Sequence, residues 1–140
     1  MDIRNAKVEP TVEHGGTCHT YFMFPKESVR AETMGSYLEY VAEFELAGGA
    51  HLEPHTHDSD EFYYLLQGRA IVQVDDEQRL VDPGDLIHIP PNAPHSIWSA
   101  DEAAPFRALS FAVSYMGEDA ADIPAELPEP LVRASIEEGK

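Results

Sequence analysis

The chain has little cysteine and little positive charge. Cys18 is the only cysteine among 140 residues, so an internal disulfide is excluded, and we expect the thiol to be a small buried side chain. Nine lysines and arginines stand against 26 acidic residues, for a formal net charge of −17. Proteins that bind nucleic acid or anionic membranes need a basic surface, so we expect neither kind of partner.

Long apolar segments are also missing. No run approaches the roughly 20 residues that a membrane-spanning helix needs. Residues 1–5 are polar, where a secretory signal would carry an apolar stretch. We therefore expect a cytoplasmic protein. Apolar residues make up 43% of the chain, enough for a single folded domain with a core of moderate size.

Short strand-like segments separated by turn residues dominate the middle of the chain. Residues 37–46 alternate apolar with polar side chains, as a half-buried strand does. Further strands are predicted at 61–67, 70–74, 79–81, 86–89, 96–99 and 107–113. Many short strands without a long helical period predict an all-β antiparallel sandwich or barrel, which we assign to residues 37–114.

The two ends are expected to lie outside that barrel. Residues 1–36 are predicted to form an N-terminal arm with a leader strand at 17–24, and 26–36 could hold a turn of helix or a lid. Residues 115–140 are acidic and contain several prolines. We expect a C-terminal tail with a short helix there.

A segment rich in histidine and acidic residues follows a pair of glycines. His55 and His57 lie two residues apart, so in an extended chain their side chains share one face. Glu61 begins the next predicted strand, and His95 follows a proline-rich turn that can bring a fourth side chain from another strand. Imidazoles and a carboxylate suit a divalent transition metal such as iron, manganese, nickel, cobalt, zinc or copper. The segment therefore predicts one metal ion held by these four residues.

The spacing of these residues resembles the first motif of the cupin superfamily. That motif is glycine, five residues, His-x-His, three or four residues, glutamate, six residues and glycine. The matching positions are Gly49, His55, His57, Glu61 and Gly68.

The second cupin motif matches at Gly84, Pro90 and His95. Asn92 stands where the family often has glycine, and Ser99 where it has asparagine. Asparagine tolerates a left-handed backbone, and position 99 is not a metal ligand, so the resemblance holds. It implies a single-domain cupin, which is a double-stranded β-helix or jelly-roll barrel around one divalent metal.

The resemblance specifies the metal site better than it specifies the reaction, because one fold hosts many activities. We expect a metal-dependent, dioxygenase-like enzyme acting on a small oxygenated or carboxylate-bearing molecule, with Fe(II) favoured and Glu61 as ligand or base. The alternative is a redox-neutral lyase, isomerase or decarboxylase. In the cupin lyases that cleave dimethylsulfoniopropionate, a tyrosine likewise follows the glutamate by two residues, as Tyr63 does here, and would act as base. Non-enzymatic binding of a small molecule is a third possibility.

Several other residues of the barrel have expected positions or roles. Tyr63 should point into the same cavity as Glu61, as a catalytic candidate or a core tyrosine, and Tyr64 should point away. Packing or surface roles are expected for the remaining histidines, the tryptophan and the barrel arginines, with His51 and Trp98 also able to line the pocket: His14, His19, His51, His88, Trp98, Arg69, Arg79 and Arg107. Any one of the three arginines could instead pair with a substrate carboxylate, although surface ion pairs are the default expectation. The resemblance also implies a homodimer in which residues 17–24 contribute an uncovered strand edge.

Overall fold

Nine strands form two antiparallel sheets in residues 1–114, the part of the chain that the computed structural model describes. The strands are β1 (Thr11–Glu13), β2 (Cys18–Phe24), β3 (Leu38–Leu46), β4 (Ser59–Gln67), β5 (Ala70–Val74), β6 (Glu77–Val81), β7 (Leu86–Ile89), β8 (His95–Ser99) and β9 (Phe106–Ser114). The larger sheet has the order β1-β2-β3-β9-β4-β7, and the smaller has the order β6-β5-β8. The predicted all-β, antiparallel architecture is confirmed, and the arrangement is consistent with a jelly roll.

The predicted strands agree with the structure to within two residues at each end. A 3-10 helix (His14–Gly16) and a short helix α1 (Val29–Glu32) complete the elements of the described range. Sequence reasoning missed β1, because three residues with mostly exposed side chains give too short a pattern to detect. The predicted C-terminal helix lies outside the described residues.

The register between β3, β9 and β4 separates a packed end of the barrel from an open one. At one end Leu46 lies opposite Phe106, and both side chains are fully buried. Each such burial stabilises the fold by about 1.5–3 kcal/mol. Toward the other end the inward positions carry the small side chains Ala42, Ser110 and Ala112. Those small residues leave room for a cavity between the sheets.

The N-terminal arm is part of the larger sheet. Strand β2 pairs with β3 along its length and with β1 over Cys18–Thr20. We expected residues 17–24 to offer an uncovered edge. That expectation is wrong for Cys18–Thr20, because β1 covers this part of the strand. Among the described residues, Tyr21–Phe24 keeps a free edge on the β1 side.

The barrel arginines and Cys18 lie where the sequence places them. Arg69, Arg79 and Arg107 pair with acidic side chains, as expected for surface ion pairs. Cys18 is buried in the core. No helix in the described part of the chain is long and apolar enough to cross a membrane.

Candidate metal centre

The four predicted ligands meet at the open end of the barrel. One ligand atom from each of His55, His57, Glu61 and His95 lies within 4.8 Å of all the others. His55 and His95 face each other across two backbone hydrogen bonds of 3.1 and 3.0 Å. Their imidazole centroids are 4.2 Å apart. The loop before β4 is thereby attached to the start of β8, which brings together histidines that are forty residues apart in the sequence.

The turn before His95 also positions His57. The amide of Asn92 donates to the carbonyl of His57 at 2.6 Å. Asn92 has a positive φ of 63°, the left-handed conformation that asparagine tolerates better than most residues. Asparagine at the usual glycine position therefore preserves the turn.

Glu61 is buried and held by the Tyr40 hydroxyl. The Tyr40 hydroxyl donates to Glu61 Oε2 at 2.9 Å and lies 2.5 Å from Ser110 Oγ. Because the Tyr40 proton points to the carboxylate, Ser110 donates to Tyr40. Tyr63, two residues further along the same strand, lines the same cavity, and its ring packs edge-on against Phe44 at 5.1 Å. The carboxylate is therefore oriented by strands β3, β4 and β9 together.

Backbone carbonyls orient two of the imidazoles. His55 Nδ1 lies 2.7 Å from the carbonyl of Glu53, and His95 Nδ1 lies 2.9 Å from that of Ala93. A carbonyl only accepts, so Nδ1 carries the proton in each ring and Nε2 keeps its lone pair for a ligand. Metal-binding histidines in proteins are commonly held in this way.

The electron-rich atoms of the cluster point at one another. His95 Nε2 and Glu61 Oε1 are 3.2 Å apart, and His57 Nε2 lies 3.6 Å from Glu61 Oε2. Within the described range, His95 Nε2 and Glu61 Oε1 are buried and have no hydrogen bond of acceptable geometry. Buried polar atoms without partners are costly, and a shared cation would satisfy both. The residues present therefore fit a divalent metal ion.

The charges in the cluster shift its acid–base behaviour in the metal-free protein. Burial alone would raise the pKa of Glu61, but His95, the Tyr63 hydroxyl, His57 and Tyr40 outweigh it and lower the pKa to about 2. Burial alone would lower the pKa of His95, and the Glu61 carboxylate raises it. The glutamate is thus an anion at neutral pH, as a metal ligand must be.

A cavity of about 340 Å³ opens beside the cluster. The predicted residues His55, His57, Glu61 and Tyr63 line it, and Tyr64 is exposed on the other face of β4, as the alternation predicts. The catalytic roles predicted for Glu61 and Tyr63 stay predictions.

Sequence reasoning missed part of the cavity wall. The N-terminal arm and β3 contribute the lining residues Glu13, His14, Cys18, Thr20, Phe22, Lys26, Tyr40 and Phe44. His14 was expected to have a surface or core role, but it lies at the cavity with its ring 6.1 Å from that of His55. The alternation of β3, which places Tyr40 and Phe44 on the inward face, was an available signal.

Two other histidines have structural roles outside the cavity. His51 stacks on Trp98, with ring centroids 4.6 Å apart. His88 Nε2 lies 2.7 Å from Asp60 Oδ1, and its ring stacks on Phe62. Neither His51, His88 nor Trp98 lines the cavity, so the packing interpretation holds for them.

Comparison with known proteins identifies relatives that share parts of this chain. Over 117 residues the chain is 32% identical to the oxalate decarboxylase OxdC of Bacillus subtilis, covering 71% of this chain and 30% of that protein. It is 48% identical over 44 residues to an uncharacterised protein of Methanocaldococcus jannaschii, covering 31% of this chain and 35% of that one. The matches thus span about a third of the length of these curated relatives.

Solved structures share the fold. A predicted oxalate decarboxylase from Thermotoga maritima superimposes with a TM-score of 0.70 at 18% identity, covering 82% of this chain and all of that one. The DMSP lyase DddQ from Ruegeria pomeroyi gives 0.59 at 21% identity, covering 75% and 51%. At these identities the likeness shows the fold alone. The family model described as "Cupin domain" matches residues 42–112, half of the sequence. The chain therefore belongs to the cupin family.

Proposed function

We propose that this cupin is a mononuclear metal-dependent enzyme that acts on a small carboxylate-bearing molecule. The observation that carries the proposal is the buried Glu61 carboxylate, held between the histidine cluster and the Tyr40 hydroxyl. Burying a carboxylate costs free energy, so a buried carboxylate beside a cavity of about 340 Å³ is typical of a reaction site rather than of a structural core. The cavity volume is at the small end of the range for ligand pockets.

Each residue of the site has a proposed task. His55, His57, His95 and Glu61 would hold the metal, which when bound supplies Lewis-acid polarisation of a substrate oxygen. Tyr40 orients the Glu61 carboxylate through its hydroxyl. Tyr63 is buried in the same cavity wall, and burial raises its pKa, so it holds a proton at its phenolic oxygen and is the proposed proton-transfer group.

We favour a bond-cleaving reaction without net oxidation over the dioxygenase chemistry that the sequence favoured. Two observations support this choice. Over 117 residues the chain is 32% identical to a protein named as an oxalate decarboxylase, and the tyrosines Tyr40 and Tyr63 in the same cavity wall suit a reaction that moves protons. The dioxygenase alternative rests on the ligand set alone, since three histidines and a carboxylate also suit Fe(II).

The test combines metal loading with a substrate panel. The purified protein is loaded separately with Mn(II), Fe(II), Co(II), Ni(II) and Zn(II). It is then incubated with small mono- and dicarboxylates and with dimethylsulfoniopropionate, while NMR follows the products and an oxygen electrode follows dioxygen. We expect metal-dependent turnover of a carboxylate without net dioxygen consumption.

Matched variants make the outcome specific to the site. Glu61→Gln should lose turnover, whereas Tyr64→Phe, on the outer face of the same strand, should keep it. Stoichiometric dioxygen uptake would replace this proposal with the dioxygenase alternative. Saturable binding of a panel member without turnover under any metal would favour the non-enzymatic binder.

A further inference from the structure

Among residues 1–114, Lys26 is the one lysine or arginine that lines the cavity beside the metal cluster. The chain has only nine lysines and arginines against 26 acidic residues, so its overall field repels small anions. The cavity also carries the acidic residues Glu13 and Glu61. A local positive group at this opening favours a carboxylate substrate, and Lys26 lies there.

The ammonium group is near the cluster but is not part of it. Lys26 Nζ lies 5.2 Å from the centroid of the Tyr40 ring, within the reach of a cation–π contact. The hydroxyl at the far end of that ring donates to Glu61 Oε2 at 2.9 Å. Lys26 and the metal ligands are thus separated by little more than one tyrosine side chain.

Lys26 is available to a ligand. The cations Arg4, Arg69, Arg79 and Arg107 each pair with a carboxylate. In residues 1–114, by contrast, no carboxylate oxygen lies within ion-pair distance of Lys26, which contacts the Tyr40 ring. An exposed lysine over an aromatic face keeps all three N–H donors for an incoming anion.

The backbone around Lys26 is held in place although its side chain is exposed. The carbonyl of Pro25 accepts hydrogen bonds from Ser28 at 3.2 Å and from Val29 at 2.9 Å. Val29 is fully buried and begins helix α1. This hydrogen-bonded turn fixes the backbone from which the Lys26 side chain extends to the cavity.

We propose that Lys26 anchors the carboxylate of the substrate, with the reacting end of the molecule directed toward the metal cluster. The cavity wall also includes the apolar side chains Phe22, Phe44 and Leu52. The expected substrate class is therefore a short acid whose carboxylate is separated by a brief apolar spacer from a second oxygen- or heteroatom-bearing group. This inference rests on the proposed function in one respect, which is that the second group of the substrate binds at the metal cluster.

Calorimetric titration with oxalate, malonate and succinate tests the anchor through binding, without relying on turnover. The proteins are the wild type, Lys26→Ala, Lys26→Arg and Lys7→Ala, each in a Co(II)-loaded and a chelator-stripped form. Lys7 is an exposed lysine of the same N-terminal arm, so its variant makes the same change in net charge. Succinamide serves as the uncharged counterpart of succinate.

We expect Lys26→Ala to weaken binding of the preferred diacid about tenfold, the loss of a hydrogen-bonded charge partner. Lys26→Arg should recover most of the affinity, and Lys7→Ala should match the wild type. The preference for succinate over succinamide should fall in Lys26→Ala, while its bound Co(II) stays unchanged. Equal diacid affinity in Lys26→Ala and wild type, or no binding of any diacid by the wild type, would overturn the anchor.

The two metal states separate failure of the anchor from failure of the proposed function. If the chain takes up no metal but its stripped form still binds a diacid through Lys26, the anchor stands and the proposed function falls. If metal binds and turnover occurs, yet Lys26→Ala is unaffected, the anchor falls alone.

Discussion

Replacing Tyr40 by phenylalanine removes one hydroxyl from the site and leaves the ring in place. That hydroxyl donates to Glu61 Oε2 at 2.9 Å and lies 2.5 Å from Ser110 Oγ, in a buried position. A hydrogen bond to a charged group contributes about 1.5–3 kcal/mol. We therefore expect the metal-free Tyr40→Phe protein to lose about 2–3 kcal/mol in its free energy of unfolding.

The same change should weaken metal binding. Groups that orient a metal ligand typically contribute about 10- to 100-fold to metal affinity, and without Tyr40 the Glu61 carboxylate still has His57 and His95 beside it. We expect a loss of about tenfold in Zn(II) affinity, near the lower end of that range. Tyr64→Phe is the matched control, because Tyr64 is 39% exposed on the outer face of β4.

Two assays separate these effects. Urea unfolding of the stripped protein gives the stability change, and competition with a chromophoric chelator gives the Zn(II) affinity. A Tyr40→Phe protein that binds Zn(II) as tightly as Tyr64→Phe would refute the reasoning that the hydroxyl positions Glu61 as a ligand. A loss of stability alone would leave Tyr40 with a structural role only.

Three further predictions concern pH, packing and assembly. The Glu61 carboxylate outweighs burial and raises the pKa of His95 above its usual 6.5, and Nε2 must be unprotonated to bind a metal. Metal affinity should therefore fall as the pH drops through that raised pKa. Zn(II) competition across a pH series measures this, and a flat profile would contradict it. Gly48→Ala should destabilise the protein by about 2 kcal/mol or more, because its Cβ would lie 2.5 Å from the Glu102 carbonyl oxygen; an unchanged urea midpoint would count against that packing. The uncovered half of β2 should pair two copies, so light scattering should give about twice 15.5 kDa, and a 15.5 kDa particle would exclude the homodimer.

The ligand set could be predicted from the sequence because its spacing is local. His55, His57 and Glu61 occupy seven residues around the start of one strand, and parity along an extended chain suffices to place their side chains together. His95 was predicted from a motif, and the structure shows the physical reason, which is a pair of backbone hydrogen bonds to His55. Most strands were predictable for the same reason, since alternation is a property of neighbouring residues.

The cavity wall depended on contacts that no local pattern encodes. Tyr40 reaches Glu61 only because β9 lies between β3 and β4 and sets the register of both. His14 and Lys26 reach the cavity because the N-terminal arm joins the larger sheet. An arm predicted to lie outside the barrel gave no reason to place its side chains beside the metal ligands.

The most direct test of the metal centre is the divalent metal bound per chain, measured by mass spectrometry of the loaded, desalted protein. Two variants accompany the wild type: His95→Ala removes a buried ligand, and His88→Ala removes a histidine on the outer face of β7. If the four residues form a metal centre, the wild type and His88→Ala should each bind one ion per chain, and His95→Ala should lose most of its bound metal. Equal metal in all three proteins, or none in the wild type under any loading, would contradict it.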